Sequence, residues 1–99
     1  MRLDELTRDI IKREIHAALG EDSVIRLFGS RVDDAQRGGD IDLLIDSPTP
    51  IADRVQTECA LSARLYMRLG GRKVDVLIRD TSTALKPVHR QALQHGIVL

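Results

Sequence analysis

Val24-Ile-Arg-Leu-Phe-Gly-Ser-Arg-Val-Asp-Asp-Ala-Gln-Arg-Gly-Gly-Asp-Ile-Asp-Leu-Leu-Ile-Asp46 is the stretch on which the fold turns. Val24–Phe28 is apolar-rich and predicts a strand ended by Gly29. Ser30–Gln36 has the length of two helical turns, and Gly38-Gly39 leads sharply into a second strand, Ile41–Asp46. Side chains two apart on a strand share a face. Asp40 and Asp42 therefore point one way, and Ile41, Leu43 and Ile45 point the other way, toward a core. Two carboxylates so close repel unless a cation lies between them. Magnesium suits them, because it takes hard oxygen ligands and shares its shell with substrate phosphates. Gly29 lets backbone approach a ligand closely, and free N–H groups where a helix starts bind phosphate. Ser30 adds a hydroxyl, while Arg31 and Arg37 add positive charge. If Gly29, Ser30 and Asp40 serve one site, the two strands run antiparallel.

Outward from this stretch, Leu3–Leu19 predicts a helix with an apolar stripe of Leu3, Leu6, Ile10, Ile15 and Leu19, stopped by Gly20. On the other side, Ser47-Pro48-Thr49-Pro50 breaks the chain. With Thr49 as N-cap and Pro50 in the first turn, a second helix is expected from about Pro50 to Leu69, stopped by Gly70-Gly71. Its apolar line is Val55, Cys59, Ser62, Tyr66 and Leu69, with Leu61 and Leu65 beside it. Val74–Arg79 is the third strand, with Val74, Val76 and Ile78 on one face and Lys73, Asp75 and Leu77 on the other. Strand, helix, strand is a crossover unit, so the second and third strands should be parallel. That brings Asp75 toward Asp40 and Asp42. Asp80–Thr83 reads as a polar turn and Lys86–His95 as a last helix. Ile97-Val98-Leu99 is either an edge strand or an apolar patch covered by a partner. The fold class is thus α+β, a small mixed sheet packed with helices in one domain over residues 1–99.

Composition narrows the function classes. Apolar residues make up 42% of the chain and charged residues 30%, a balance that argues for a packed globular domain. The formal net charge is zero, so no basic excess marks nucleic acid as the partner. No run approaches the length of a membrane span. Cys59 is the single cysteine, which forbids an internal disulfide; a small core or half-buried residue is the expected role. His16, His89 and His95 lack the companions of a zinc site. The expected compartment is the cytoplasm.

Phe28-Gly29-Ser30, nine residues, then Asp40-Ile41-Asp42-Leu43, with Val74-Asp75-Val76 later, resembles the signature of the polymerase-β-type nucleotidyltransferase superfamily. The chain as a whole resembles its smallest members, the minimal nucleotidyltransferases found in HEPN/MNT toxin–antitoxin pairs. The resemblance implies a polymerase-β-like core and transfer of a nucleotide from ATP or another nucleoside triphosphate. It implies two magnesium ions, about 3.5–4 Å apart, once nucleotide is bound. Asp40 and Asp42 would hold the metals. Asp75 would complete one shell near the acceptor hydroxyl. Gly29, Ser30 and Arg31 would meet the phosphates. It implies a small helical HEPN-type partner, with AMP passed to that partner, typically to a tyrosine. Two other readings compete: a non-catalytic antitoxin that neutralises its partner by contact, and a modifier of small molecules. With Phe28 and Tyr66 as its two aromatic residues, the chain has little with which to sandwich a base. A hetero-complex or homo-oligomer is therefore expected, with Val88, Leu93 and Ile97–Leu99 contributing to the contact.

Overall fold

A computed structural model describes residues 4–28, 41–80, 90, 93–94 and 96–99 of the chain. Helix α1 (Glu5–Leu19) leads into strand β1 (Val24–Phe28); β2 (Ile41–Asp46), α2 (Arg54–Arg68), β3 (Val74–Arg79) and β4 (Ile97–Val98) follow. The strands form one sheet in the order β3-β2-β1-β4. β2 lies antiparallel to β1 and parallel to β3, as the two-aspartate site and the crossover pattern each require. The sequence assigns the first three strands with the bounds observed. Each carries a core-facing apolar set at alternate positions, and turn residues bracket each of them.

One sheet face carries the main core. Ile25 and Leu27 of β1, Ile41, Leu43 and Ile45 of β2, and Val74, Val76 and Ile78 of β3 are buried there against Ile11 and Ile15 of α1 and Leu61 and Leu65 of α2. A smaller cluster lies on the opposite face, where Phe28 and Leu44 are buried against Leu77 and Leu93.

Both helices differ in detail from expectation. In α1 the buried line is Thr7, Ile11 and Ile15, whereas Leu6 is 70% exposed. The helix rotates so that two fully buried isoleucines, four residues apart, face the sheet. Asp4 caps it by accepting the Thr7 N–H at 2.7 Å. Gly20 ends it with a φ of 95°, a left-handed conformation that a side chain would strain. α2 begins at Arg54, with Asp53 rather than Thr49 as N-cap; Asp53 accepts the Gln56 N–H at 3.1 Å. The chain ahead of it is held out of helix from two sides. The Ser47 hydroxyl donates to the Thr49 carbonyl, and the buried Asp80 carboxylate accepts the Ile51 N–H at 2.7 Å. Asp80, expected in a polar turn, thus ties the end of β3 to the start of α2. Leu61 and Leu65 are the residues α2 buries, while Val55, Cys59 and Tyr66 of the expected line are exposed.

The C-terminal segment closes the domain. β4 pairs antiparallel with β1, and the Leu99 N–H donates to the Ile25 carbonyl at 2.9 Å. Leu99 is buried in the main core and Leu93 packs on the smaller cluster, so of this apolar set only Val98 is exposed among the described residues. Arg90, Leu93 and Gln94 are helical, within the expected last helix; Val88 and the 81–89 stretch lie outside the described residues. No helix among the described residues is long and apolar enough to cross a membrane.

Candidate functional site

The face opposite the two long helices carries the charged groups, and strand register sets their order. Phe28 stands opposite Asp42, and Asp42 stands opposite Asp75. The three residues form a row across β1, β2 and β3 at the end of the sheet where β2 and β3 begin. Neighbouring strands lie about 4.8 Å apart, so two carboxylate-bearing positions are direct neighbours on one face. In an isolated protein this is an unfavourable cross-strand pair, because like charges directly opposite destabilise a sheet. Asp42 is half-buried and Asp75 is exposed.

The next rows on this face are built differently. Arg26, Leu44 and Leu77 form the second row, which Leu44 fills with buried apolar surface. Val24, Asp46 and Arg79 form the third. There Asp46 is neutralised: Arg26 Nη1 donates to its Oδ2, and Arg79 Nη1 lies 3.5 Å from its Oδ1. Asp42 and Asp75 thus mark one end of the face, separated from Asp46 by the row in which Leu44 is buried.

Around the two carboxylates lies an open depression of about 580 Å³. Phe28, Val76 and Leu77 give it apolar surface, and α2 contributes Glu58, Cys59 and Ser62 from beyond the β3 edge. Glu58 is engaged in the fold itself, since its Oε2 accepts the Ile78 N–H at 2.7 Å. That bond satisfies a donor on the outer edge of β3, which has no neighbouring strand among the described residues. Sequence periodicity gives no sign of this wall, because a helix residue reaching round a sheet edge is a tertiary event. The exposed setting of Cys59 in this depression corrects the expectation of a core or half-buried thiol.

Gly29, Ser30, Arg31 and Asp40 of the expected site lie outside the described residues. Among the described residues no three histidine, cysteine or acidic groups come together as a metal cluster. Asp42 and Asp75 nevertheless provide, side by side, the hard oxygen donors that magnesium takes. A larger cleft, about 980 Å³, runs between α1 and α2 past Ala17, Ala60 and Met67. It contains no comparable chemistry: its one carboxylate, Glu14, is bound by Arg64 Nε and lies 3.7 Å from Arg68 Nε.

Comparison with known proteins places the fold. None of the curated proteins matches the chain. Solved structures similar in fold include a chain of the MntA–HepT toxin–antitoxin complex, with a TM-score of 0.71 and 20% identity over 96% of this chain and 70% of that one. A second is from the tri-AMPylated HEPN toxin of Shewanella oneidensis in complex with its MNT antitoxin, with a TM-score of 0.71 and 21% identity over 97% and 71% of the two chains. A third is from a toxin–antitoxin with AMP-PNP, with a TM-score of 0.69 and 22% identity over 97% and 72%. At these identities the likeness is one of fold. The model of the nucleotidyltransferase domain matches residues 8–99, nearly the whole chain, and the chain belongs to that family.

Proposed function

We propose that the protein is a magnesium-dependent adenylyltransferase that passes AMP from ATP to a small helical HEPN-type protein, as the antitoxin of a pair. The observation that carries this reading is the adjacency of Asp42 and Asp75 on the open face of the sheet. Asp40 and Asp42, with Asp75, would hold magnesium. The metal supplies positive charge against the triphosphate and aligns nucleophile with leaving group. Gly29, Ser30 and Arg31, which follow Phe28 in the sequence, would meet the phosphates. Asp75, on the outer strand, takes the proton of the acceptor hydroxyl. The hydroxyl oxygen bonds to the α-phosphorus, the bond from that phosphorus to the bridging oxygen breaks, and pyrophosphate leaves with the electron pair. The solved relatives support the partner class, one of them holding an AMPylated HEPN toxin and another AMP-PNP.

The test is incubation with ATP labelled at the α-phosphate, magnesium and the HEPN-type neighbour encoded beside this chain. Label on the neighbour, lost with Asp42→Asn, is the expected result. Tight association with the neighbour and no label under any nucleotide would establish the contact-only antitoxin instead.

A further inference from the structure

We infer that the outer side of the α1–α2 layer is a self-association surface. A second copy of this chain occupies it across a two-fold axis, with Arg64 and Arg68 of each copy against the acidic end of the other. The inference is independent of the adenylyl-transfer reading, because this layer lies on the far side of the sheet from Asp42 and Asp75.

The two helices run antiparallel. Asp4, which caps the start of α1, lies near Arg72, beyond the end of α2, and Glu14 is held by Arg64 and Arg68. The end of α1, followed by the exposed Glu21 and Asp22, is therefore at the same end of the layer as the start of α2, with the exposed Asp53. The two ends of the layer carry opposite charge. At one, two guanidinium groups share one carboxylate. Arg64 and Arg68 are 60% and 57% exposed and Glu14 is 13% exposed, so the excess positive charge faces solvent. At the other, Glu21, Asp22 and Asp53 stand against Arg54 and leave that end negative. Along α1, Arg8, Lys12 and Arg13 are matched by Asp4, Glu5 and Asp9 and change neither sign.

Between the ends runs the cleft of about 980 Å³, where Ala17, Ala18 and Ala60 leave room and Met67 stands 80% exposed on the basic side. A surface with opposite charge at its ends and an apolar middle is complementary to itself. A two-fold axis through the cleft brings the basic end of each copy to the acidic end of the other and lays each Met67 into the alanine-lined cleft opposite. Every favourable contact is then made twice. A different partner would need to carry this pattern; a second copy already does. A standard interface hides about 800 Å² on each partner. That is roughly one-seventh of the 5918 Å² of this chain, an area that one side of a two-helix layer supplies. The carboxylate faces of both copies point outward, so the dimer presents two open sites.

Sedimentation equilibrium on the whole chain tests the surface. The wild type should dimerise at about 0.1 M salt, where charges act over about 10 Å, and its dissociation constant should rise about tenfold or more at about 1 M, where they act over about 3 Å. Met67→Asp should also raise it about tenfold or more, with a circular dichroism spectrum like that of the wild type. Arg64→Glu with Arg68→Glu should abolish self-association, and so should Glu21→Lys with Asp22→Lys in a second variant. Mixed in equal amounts, these two variants should form a heterodimer, because both contacts across the axis again join opposite charges. If either charge-reversed variant fails to fold, Met67→Asp and the salt series decide alone. A wild type that stays monomeric up to about 1 mM overturns the inference. So does a dimer indifferent to Met67→Asp, or a mixture of two folded charge-reversed variants that remains monomeric. A monomer that binds the HEPN-type neighbour, and loses it with Met67→Asp, would give the cleft to that partner and overturn the second copy.

Discussion

At the scale of single residues, Asp42 and Asp75 were legible from spacing alone, because period-2 alternation puts each on the face away from the isoleucines and valines of its strand. Glu58, Cys59 and Ser62 were not, since their place depends on where α2 crosses the β3 edge. The carboxylate pair yields a direct prediction. Asp42→Asn should lower nucleotide transfer by at least about 100-fold, on the scale of losing one preorganised electrostatic group. It should leave the Tm equal or higher, because it relieves repulsion between direct neighbours in the metal-free protein. A marked fall in Tm would make Asp42 structural. Calorimetry should find only weak magnesium binding without nucleotide, because the ion's shell is completed by substrate phosphates; tight binding to the free protein would point to a structural cage. Asp4 gives a prediction in pH. Its carboxyl lies below the usual 3.8, mainly because it accepts the Thr7 backbone N–H, with the Thr7 side chain and Arg72 adding. A depressed acid stabilises the fold above its unfolded pKa, and that stabilisation is lost as pH falls through the folded value. Asp4→Ala should therefore lower the Tm at neutral pH and flatten the loss of Tm below 3.8, as thermal melts across that range will show.

At the scale of elements, strands were easier to read than helices. Each strand sets its core residues at alternate positions between breakers, Ile25 and Leu27, then Ile41, Leu43 and Ile45, then Val74, Val76 and Ile78, so one register fits. A helix with apolar residues at Leu6, Ile10, Ile11, Ile15 and Leu19 admits several stripes, and the observed one includes Thr7, a residue not counted as apolar. Burial decides energetics here. Ile11→Ala, at a fully buried position, should cost about 2–5 kcal/mol in denaturant unfolding. Leu6→Ala, at an exposed one, should stay within about 0.5 kcal/mol. The reverse ranking would restore the stripe through Leu6. The start of α2 is ambiguous in sequence for a similar reason: Thr49-Pro50 is a good capping pair locally, but Ser47 and Asp80 hold that backbone elsewhere. Asp53→Ala should cost about 1 kcal/mol, and Thr49→Ala less.

At the scale of the whole molecule, the sheet has two unequal faces. One is sealed by α1 and α2; the other exposes the carboxylate row and is covered in its middle by Leu93. The C-terminal tail looks, in sequence, as much like an interface as like an edge strand, because three apolar residues at a chain end fit both. Register decides it: β4 pairs with β1, and Leu99 is 8% exposed in the main core. Deleting Ile97–Leu99 removes that side chain, the pairing with Arg26 and Leu27, and the bond from the Leu99 N–H to Ile25. Loss of a buried leucine alone costs about 2–5 kcal/mol, a large part of the 5–15 kcal/mol that holds a small domain together. At about 4–8 °C per kcal/mol for a domain of this size, the Tm should fall by at least about 10 °C. Thermal melts and size-exclusion chromatography on the truncated chain check this together. A truncated protein that melts with the wild type yet no longer associates with its partner would return the tail to the interface and require the core to close without Leu99.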